Sequence, residues 1–105
     1  MSIQTTGSAI TLAQATSLTS AYQAANPGAP IGNLFGINLI NEILNQSSAV
    51  AGIRIYYGLT PGTPGLQLVL VGVDGNGNDI VPGVYGDRSQ ICPPMCSTAN
   101  AINGL

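Results

Sequence analysis

The sequence contains no lysine and no histidine, and its only cations are Arg54 and Arg88. Charged residues make up 6% of the chain, whereas a soluble domain usually carries about 25%. Two cations cannot neutralise several phosphates or hold a chain on an anionic membrane surface. The composition therefore argues against nucleic acid and anionic membranes as partners.

The residues of acid–base chemistry are also scarce. The chain has four carboxylates, which are Glu42, Asp74, Asp79 and Asp87, and it has no imidazole to work with them. Most general acid–base mechanisms need such groups in pairs. We therefore predict that the protein is not an enzyme and needs no cofactor.

Segments that direct a chain to or through a membrane are not visible either. The first residues lack the positive region and the continuous apolar region of a Sec-type signal peptide. The most apolar stretch, 66–73, is far too short to cross a bilayer. We expect no membrane insertion, and the sequence leaves localisation open, although its composition is compatible with an extracellular assembly.

Neutral polar residues take the place of the missing charge. Serine, threonine, asparagine and glutamine together number 31, and there are 14 glycines. Low surface charge removes the repulsion that keeps small proteins monomeric. Hydroxyl and amide groups are also easier to desolvate than ions, and interface cores are depleted of charge. The sequence thus favours a structural protein that self-associates into a homo-oligomer or polymer, such as a filament, tube or layer.

The length of 105 residues fits one domain. We predict an extended N-terminal lead over 1–10 and a single domain over 11–105. Thr11 and Gln14 match a capping box, and they open a predicted helix over 11–25. Its apolar stripe consists of Leu12, Ala15, Leu18, Tyr22 and Ala25. A second helix is predicted over 36–46, with a stripe of Ile37, Ile40, Ile43 and Leu44.

From residue 51 the hydrophobic period changes to two, which is typical of strands. The residues 53–57 predict a half-buried strand, and 66–73 predict the central strand. Asn76-Gly77 between apolar runs predicts a type I′ hairpin turn that leads to a third, short strand at Ile80-Val81. Pro82-Gly83 should weaken that strand, so that it lies at an edge of the sheet or ends early. The predicted fold class is α+β, with two N-terminal helices packed on one face of a small, mainly antiparallel sheet, followed by an irregular C-terminal segment.

The loop after the central strand begins like an EF-hand calcium loop. Asp74, Asn76 and Asn78 occupy the first three ligand positions, but Asp79 stands where the loop needs glycine and Tyr85 where it needs glutamate. A hairpin turn explains the same residues. We predict no metal site and regard Asp74, Asn76, Asn78 and Asp79 as a weak calcium candidate only.

Cys92 and Cys96 enclose two prolines and a methionine, and three interpretations stay open. The first is an intrachain disulfide between the two, and the second is a pair of reduced structural thiols. In the third, the thiols bind a metal ion or form an intermolecular disulfide bridge. The alternative function is a small binding or accessory module whose CPPMC loop docks a partner or senses redox state. A calcium-dependent or zinc-dependent module ranks third.

One ion pair is predicted from the few charges that the chain has. Arg54 lies at an outward position of the first predicted strand, and Glu42 is the only glutamate. We expect these two to pair with each other rather than to act as a catalytic couple.

Four ordered features together resemble a family of short uncharacterised bacterial proteins of about this length. They are the Thr11 helix start, the strand IRIYYG at 53–58, the segment LVGVD at 70–74 followed by GND at 77–79, and the C-terminal CPPMC at 92–96. The resemblance implies no enzyme activity. Where the family typically carries Glu, Lys and Asp on helix surfaces and loops, this chain has small or neutral polar residues, which argues against a freely soluble monomer.

Overall fold

In the computed structural model, which describes residues 2–63 and 65–105, the chain forms two α-helices and two small antiparallel sheets. The predicted α+β class is therefore confirmed. The elements are a 3-10 helix at Ile3–Thr5, α1 at Leu12–Ala25, β1 at Gly32–Leu34, α2 at Ile37–Leu44, β2 at Val50–Gly58, β3 at Gln67–Asp74, β4 at Tyr85–Gly86 and β5 at Gln90–Cys92.

The chain divides into two compact units. The first unit consists of the residues up to Gly7 and of Phe35–Ser89, and the second consists of Ser8–Leu34 and Gln90–Leu105. The prediction of an extended lead followed by a single domain stays a prediction.

The first unit is built on a three-stranded sheet in the order β2-β3-β4. β2 and β3 pair over their whole lengths, with Arg54 opposite Val71 and Tyr56 opposite Val69. The extra residue Ala51 forms a bulge near the start of β2. The predicted third strand at Ile80-Val81 is wrong. The segment touches β3 only through a bridge between Asp79 and Val73 and the bond from the Ile80 N–H to the Gly72 carbonyl.

Proline explains why that strand stops. Pro82 follows Val81 and has no N–H to donate to a ladder. Pairing with β3 resumes further along at β4, where Gly86 lies opposite Leu70.

Helix α2 packs on one face of this sheet. Ile43 is fully buried, and its Cγ2 atom lies 3.5 Å from where a Cβ on Gly72 would be. A Cβ on Gly86 would overlap the Leu39 side chain. The two strand glycines therefore let the helix approach the sheet closely. The predicted packing of a helix on a sheet is confirmed for α2, and for α1 it stays a prediction.

Gln46, just beyond α2, ties the helix to the segment that leads into β4. Its Nε2 donates to the Ile43 carbonyl at 2.9 Å, and its Oε1 accepts from the Val84 N–H at 2.9 Å. The side chain thus satisfies one helix-end carbonyl and one loop amide.

The second unit contains α1 and the short ladder of β1 with β5, in which Asn33 lies opposite Ile91. The predicted capping box is confirmed, because the Thr11 and Gln14 side chains each accept the other residue's N–H.

The predicted irregular C-terminal segment is wrong in part, since it contains β4 and β5. Strands of two and three residues are too short for a period of two to mark them.

The predicted apolar stripe of α1 does not become a buried face. No side chain of α1 is fully buried, and Leu12, Leu18 and Tyr22 are exposed. The half-buried positions carry small or polar side chains, and they are Ala15, Thr16, Thr19 and Gln23. The prediction failed because the hydrophobic residues of α1 are spread around the helix and no single face is strongly apolar.

Candidate functional site

The loop from Asp74 to Asp79 closes as a tight turn. The Gly77 N–H donates to the Asp74 carbonyl at 3.0 Å, and Asp74 Oδ1 accepts the N–H groups of Asn76 and Asn78 at 2.9 and 3.0 Å. Gly77 has a φ of 84°. Among the described residues other than glycine only Arg88 has a positive φ, so the predicted type I′ turn, which needs positive φ at both central positions, is wrong at Asn76.

A polar bridge of Arg54, Tyr56 and Asp79 connects β2 with this turn. Arg54 Nη1 lies 2.5 Å from Asp79 Oδ1, and Arg54 Nη2 donates to the Gly77 carbonyl at 3.2 Å. The Tyr56 hydroxyl donates to Asp79 Oδ2. The predicted pairing of Arg54 with Glu42 is therefore wrong, because the hairpin turn brings Asp79 onto the sheet face that carries Arg54.

The polar bridge covers one face of the sheet. Residues opposite each other on paired strands share a face, so Arg54, Val71 and Tyr85 lie on one side. Asp79 joins that side through its bridge to Val73. Val71 and Val73 are 6% and 4% exposed on the face opposite to α2. The polar bridge shares this face with Ile3 of the 3-10 helix, which lines the same cavity as Arg54 and Val73.

Each member of the bridge changes the acidity of the others. The hydrogen bond from Tyr56 and the adjacent Arg54 guanidinium hold the pKa of Asp79 below its ordinary value, against the opposing effect of partial desolvation. The Asp79 carboxylate raises the pKa of Tyr56 and of Arg54, chiefly through the same hydrogen bonds.

We predict that the bridge makes stability fall in acid. A carboxylate whose pKa is lower in the folded state stabilises that state above its unfolded pKa, and this contribution disappears as the pH falls through the lower, folded value. Urea midpoints measured from pH 7 to pH 2 should therefore drop for the wild type. Asp79→Asn should begin with a lower midpoint at pH 7 and show a shallower acid slope.

Asp87→Asn is the matched control for that series, since it changes the net charge equally at an exposed position. Its profile should follow the wild type. Equal slopes for wild type and Asp79→Asn would contradict the assigned role of Asp79.

Both carboxylates among the four calcium-candidate residues have partners within the protein. Asp74 Oδ1 accepts from the turn's own amides, and Asp79 contacts Arg54 and Tyr56. Over residues 2–63 and 65–105, no group of three or more His, Cys, Asp or Glu side chains could hold a metal ion. The geometry accounts for both carboxylates through turn closure and strand bridging.

Cys92 and Cys96 are joined in a disulfide, with their Cα atoms 4.8 Å apart, a separation within the usual range for disulfides. Cys92 is also the last residue of β5 and lies opposite Gly32. The bond thus closes the CPPMC loop against the small ladder of the second unit. A groove with a volume of about 370 Å³ runs along this loop, lined by Leu34, Met95 and Ser97 among others.

We predict that the disulfide is present in freshly isolated protein. Alkylation without reductant, followed by intact-mass measurement, should then show both cysteines unmodified by the reagent. Because the bond closes a short loop, reduction should lower the free energy of unfolding by only about 1–2 kcal/mol. Two alkylated thiols in native material would contradict the intrachain disulfide.

Hydrophobic side chains are exposed over much of both units. Only Ile43, Leu70, Val71 and Val73 are buried among the hydrophobic residues that the structure describes. In the first unit the exposed large hydrophobic residues are Ile37, Leu44, Ile55, Tyr56, Tyr57, Leu59, Leu66, Val81 and Tyr85. In the second unit they are Ile10, Leu12, Leu18, Tyr22, Leu34, Met95, Ile102 and Leu105.

The described part of the chain contains no helix that is both long and apolar enough to span a bilayer. No family model, no curated protein and no solved structure matches the sequence. The resemblance to a family of short bacterial proteins therefore stays a prediction.

Proposed function

We propose that the protein is a non-enzymatic structural protein that self-associates into a homo-oligomer or polymer through its charge-poor surfaces. The observation that carries the proposal is the amount of hydrophobic surface that a single chain leaves exposed. Scattered exposed hydrophobic residues are normal in monomers. Here, however, Tyr57 is 78% exposed and Leu59 is 80% exposed, and they belong to the same stretch of chain as Ile55 and Tyr56.

The total surface area supports the same conclusion. The chain exposes 7230 Å², whereas a folded monomer of its mass exposes about 5,500 Å². Even two separate compact units of these sizes would expose about 6,600 Å² together. Association with further copies would remove part of this surface from water.

Ionic contacts have a small part in the proposed assembly. The described residues form one ion pair, between Arg54 and Asp79, and it lies within the protomer. The remaining charges are too few to build a salt-dependent interface. Burial of apolar and neutral polar groups must therefore supply the association energy.

Sedimentation velocity over a range of protein and salt concentrations tests the proposal. Wild-type protein at physiological salt should sediment as a regular assembly, and about 1 M salt should not dissociate it because screening weakens only ionic contacts. Electron microscopy of the sedimenting fraction would show whether it is a ring, a filament or a layer. A monodisperse monomer at all concentrations would refute the proposal.

The groove beside the CPPMC loop favours a second candidate function. It offers an apolar surface next to Met95, which is 52% exposed. A small binding or accessory module would use this loop to dock a partner. The same sedimentation experiment separates the two functions, because a binding module of this kind stays monomeric until its partner is added.

A further inference from the structure

Strand β2 is the edge strand of the first unit's sheet, and its outer edge pairs with no other strand among the described residues. The Ile80 N–H bonds the Gly72 carbonyl on the side of β3 that faces away from β2. Because backbone groups of successive residues point to alternate sides of a strand, Val71 and Val69 then face β2. Their partners Arg54 and Tyr56 use their N–H and C=O groups within the sheet.

The intervening residues of β2 must therefore direct their N–H and C=O groups outward. They are Ile53, Ile55 and Tyr57, and their backbone forms what we call the open edge. A row of unpaired groups of this kind is a template for another strand.

The 3-10 helix lies beside the start of β2, where Ile3 and Thr6 line the same cavity as Gly52 and Ile53. Beyond that point the open edge has none of the features by which proteins usually prevent such pairing. Residues 53–58 contain no proline and no lysine, and the bulge lies earlier, at Ala51. The one charged side chain, that of Arg54, is held by Asp79 and the Gly77 carbonyl. The polar bridge thus balances part of this charge within the protomer and holds the guanidinium toward the turn that contains Asp79.

We propose that the open edge binds the open edge of a second copy of this chain, so that the two sheets join as one six-stranded sheet. This inference rests on the proposed self-association and names the surface that carries one of its contacts. A second copy is the occupant because the edge is complementary to itself when the strands run antiparallel.

One register of the two strands allows both a full set of backbone hydrogen bonds and favourable side-chain pairs. With the two-fold axis at Ile55, each Ile55 faces its counterpart, and Ile53 faces Tyr57 of the second copy. All three outward residues of each copy are then paired, and each such pair exchanges two main-chain hydrogen bonds. The facing side chains are β-branched and aromatic, a favourable combination across strands.

The charges select the same register. With the axis at Ile55, Arg54 lies opposite Tyr56 of the second copy, and Gly52 lies opposite Gly58. Moving the axis by one residue to Arg54 would place the two arginines directly opposite each other, which is destabilising. Moving it to Tyr56 would leave Ile53 opposite a residue beyond the end of β2.

The first test is the substitution Ile55→Lys, which places two lysines face to face on the axis. We expect it to weaken association about 100-fold, equivalent to about 2.7 kcal/mol, as measured by sedimentation equilibrium against wild type. Val81→Lys is the matched control, because Val81 is 70% exposed in the same unit and away from β2. It should associate as the wild type does.

A second variant guards against misfolding of the lysine variant. Ile55→Cys should form an interchain disulfide under mild oxidation, or a crosslink when a short bis-maleimide is added without oxidant, since the paired Cα atoms would be about 5.5 Å apart. With Cys92 and Cys96 in their disulfide, this thiol is the only free one. Val81→Cys should not crosslink.

The outcomes separate this inference from the proposed function. If wild type assembles, Ile55→Lys assembles equally well and Ile55→Cys gives no crosslink, the open edge is not the interface, and self-association stands. Loss of association in Ile55→Lys with crosslinking of Ile55→Cys supports the paired edge. A wild type that stays monomeric overturns both.

Discussion

Replacing Ile43 with alanine should lower the free energy of unfolding by about 2–5 kcal/mol. Ile43 is the one side chain in the described structure that is buried completely. It packs over Gly72, where no β-carbon fills the space between helix and strand. Truncation removes apolar contacts and leaves a cavity that the surrounding backbone cannot close, so both terms destabilise the fold. Few other buried side chains exist to compensate.

Leu44→Ala provides the control, since Leu44 is the next residue of α2 and is 43% exposed. Its loss should be clearly smaller than that of Ile43→Ala. Urea unfolding followed by circular dichroism, at one fixed protein concentration, measures both midpoints. An equal loss for the two variants would mean that Ile43 does not hold the helix on the sheet. A change in slope as well as in midpoint would show that the native or denatured state had itself changed.

Gly77→Val should destabilise the protein by about 1–3 kcal/mol, because valine is strained at a positive φ. The backbone at Gly77 has a φ of 84°, and an added Cβ would lie 3.4 Å from Ile3 Cδ1. The Gly77 carbonyl also accepts a hydrogen bond from Arg54. A shifted turn would therefore disturb the polar bridge as well as the turn itself.

Gly75→Val is the matched control in the same turn, since Gly75 has no positive φ and no atom within 4 Å of its would-be Cβ. Its melting temperature should stay close to that of the wild type. If both valines were equally harmful, loop crowding rather than backbone strain would be the cause.

Addition of calcium tests whether the loop from Asp74 to Asp79 is only a turn or is also a metal site. Added calcium or a chelator should leave the melting temperature of the wild type unchanged. Asp74→Asn and Asn78→Ser should lower the melting temperature only mildly, because the turn can close without a bound metal ion. A calcium-dependent rise in melting temperature that disappears in Asp74→Asn would make the loop a metal site.

The sequence predicted correctly those elements that are marked by residues close together along the chain. The Thr11 capping box, the helix around Ile43 and the alternation around Arg54 all rest on residues within a few positions of one another, and all three appear in the structure. The pairing of strands did not follow from local signals. Asn76-Gly77 marks the turn, but Pro82 decides that the next ladder begins at Tyr85.

The partners of the charged residues depend on tertiary geometry. The sequence contains Arg54 and four carboxylates, and nothing near Arg54 in sequence distinguishes Asp79 from Glu42. That choice follows from the fold-back of the turn, which places residues 25 positions apart within hydrogen-bonding distance. The sequence did not predict the open edge either, since the strand order within the sheet determines which strand lies outermost.

The exposure of α1 limits the stability of the helix itself. Fourteen residues with a good N-terminal cap, but with no fully buried side chain, lie near the limit at which a helix is stable by itself in water. Local opening of α1 should therefore cost little free energy, and its amides should exchange with solvent faster than those of β3. Covering Leu12, Leu18 and Tyr22 in an assembly would slow that exchange, so helix formation and association would be thermodynamically coupled.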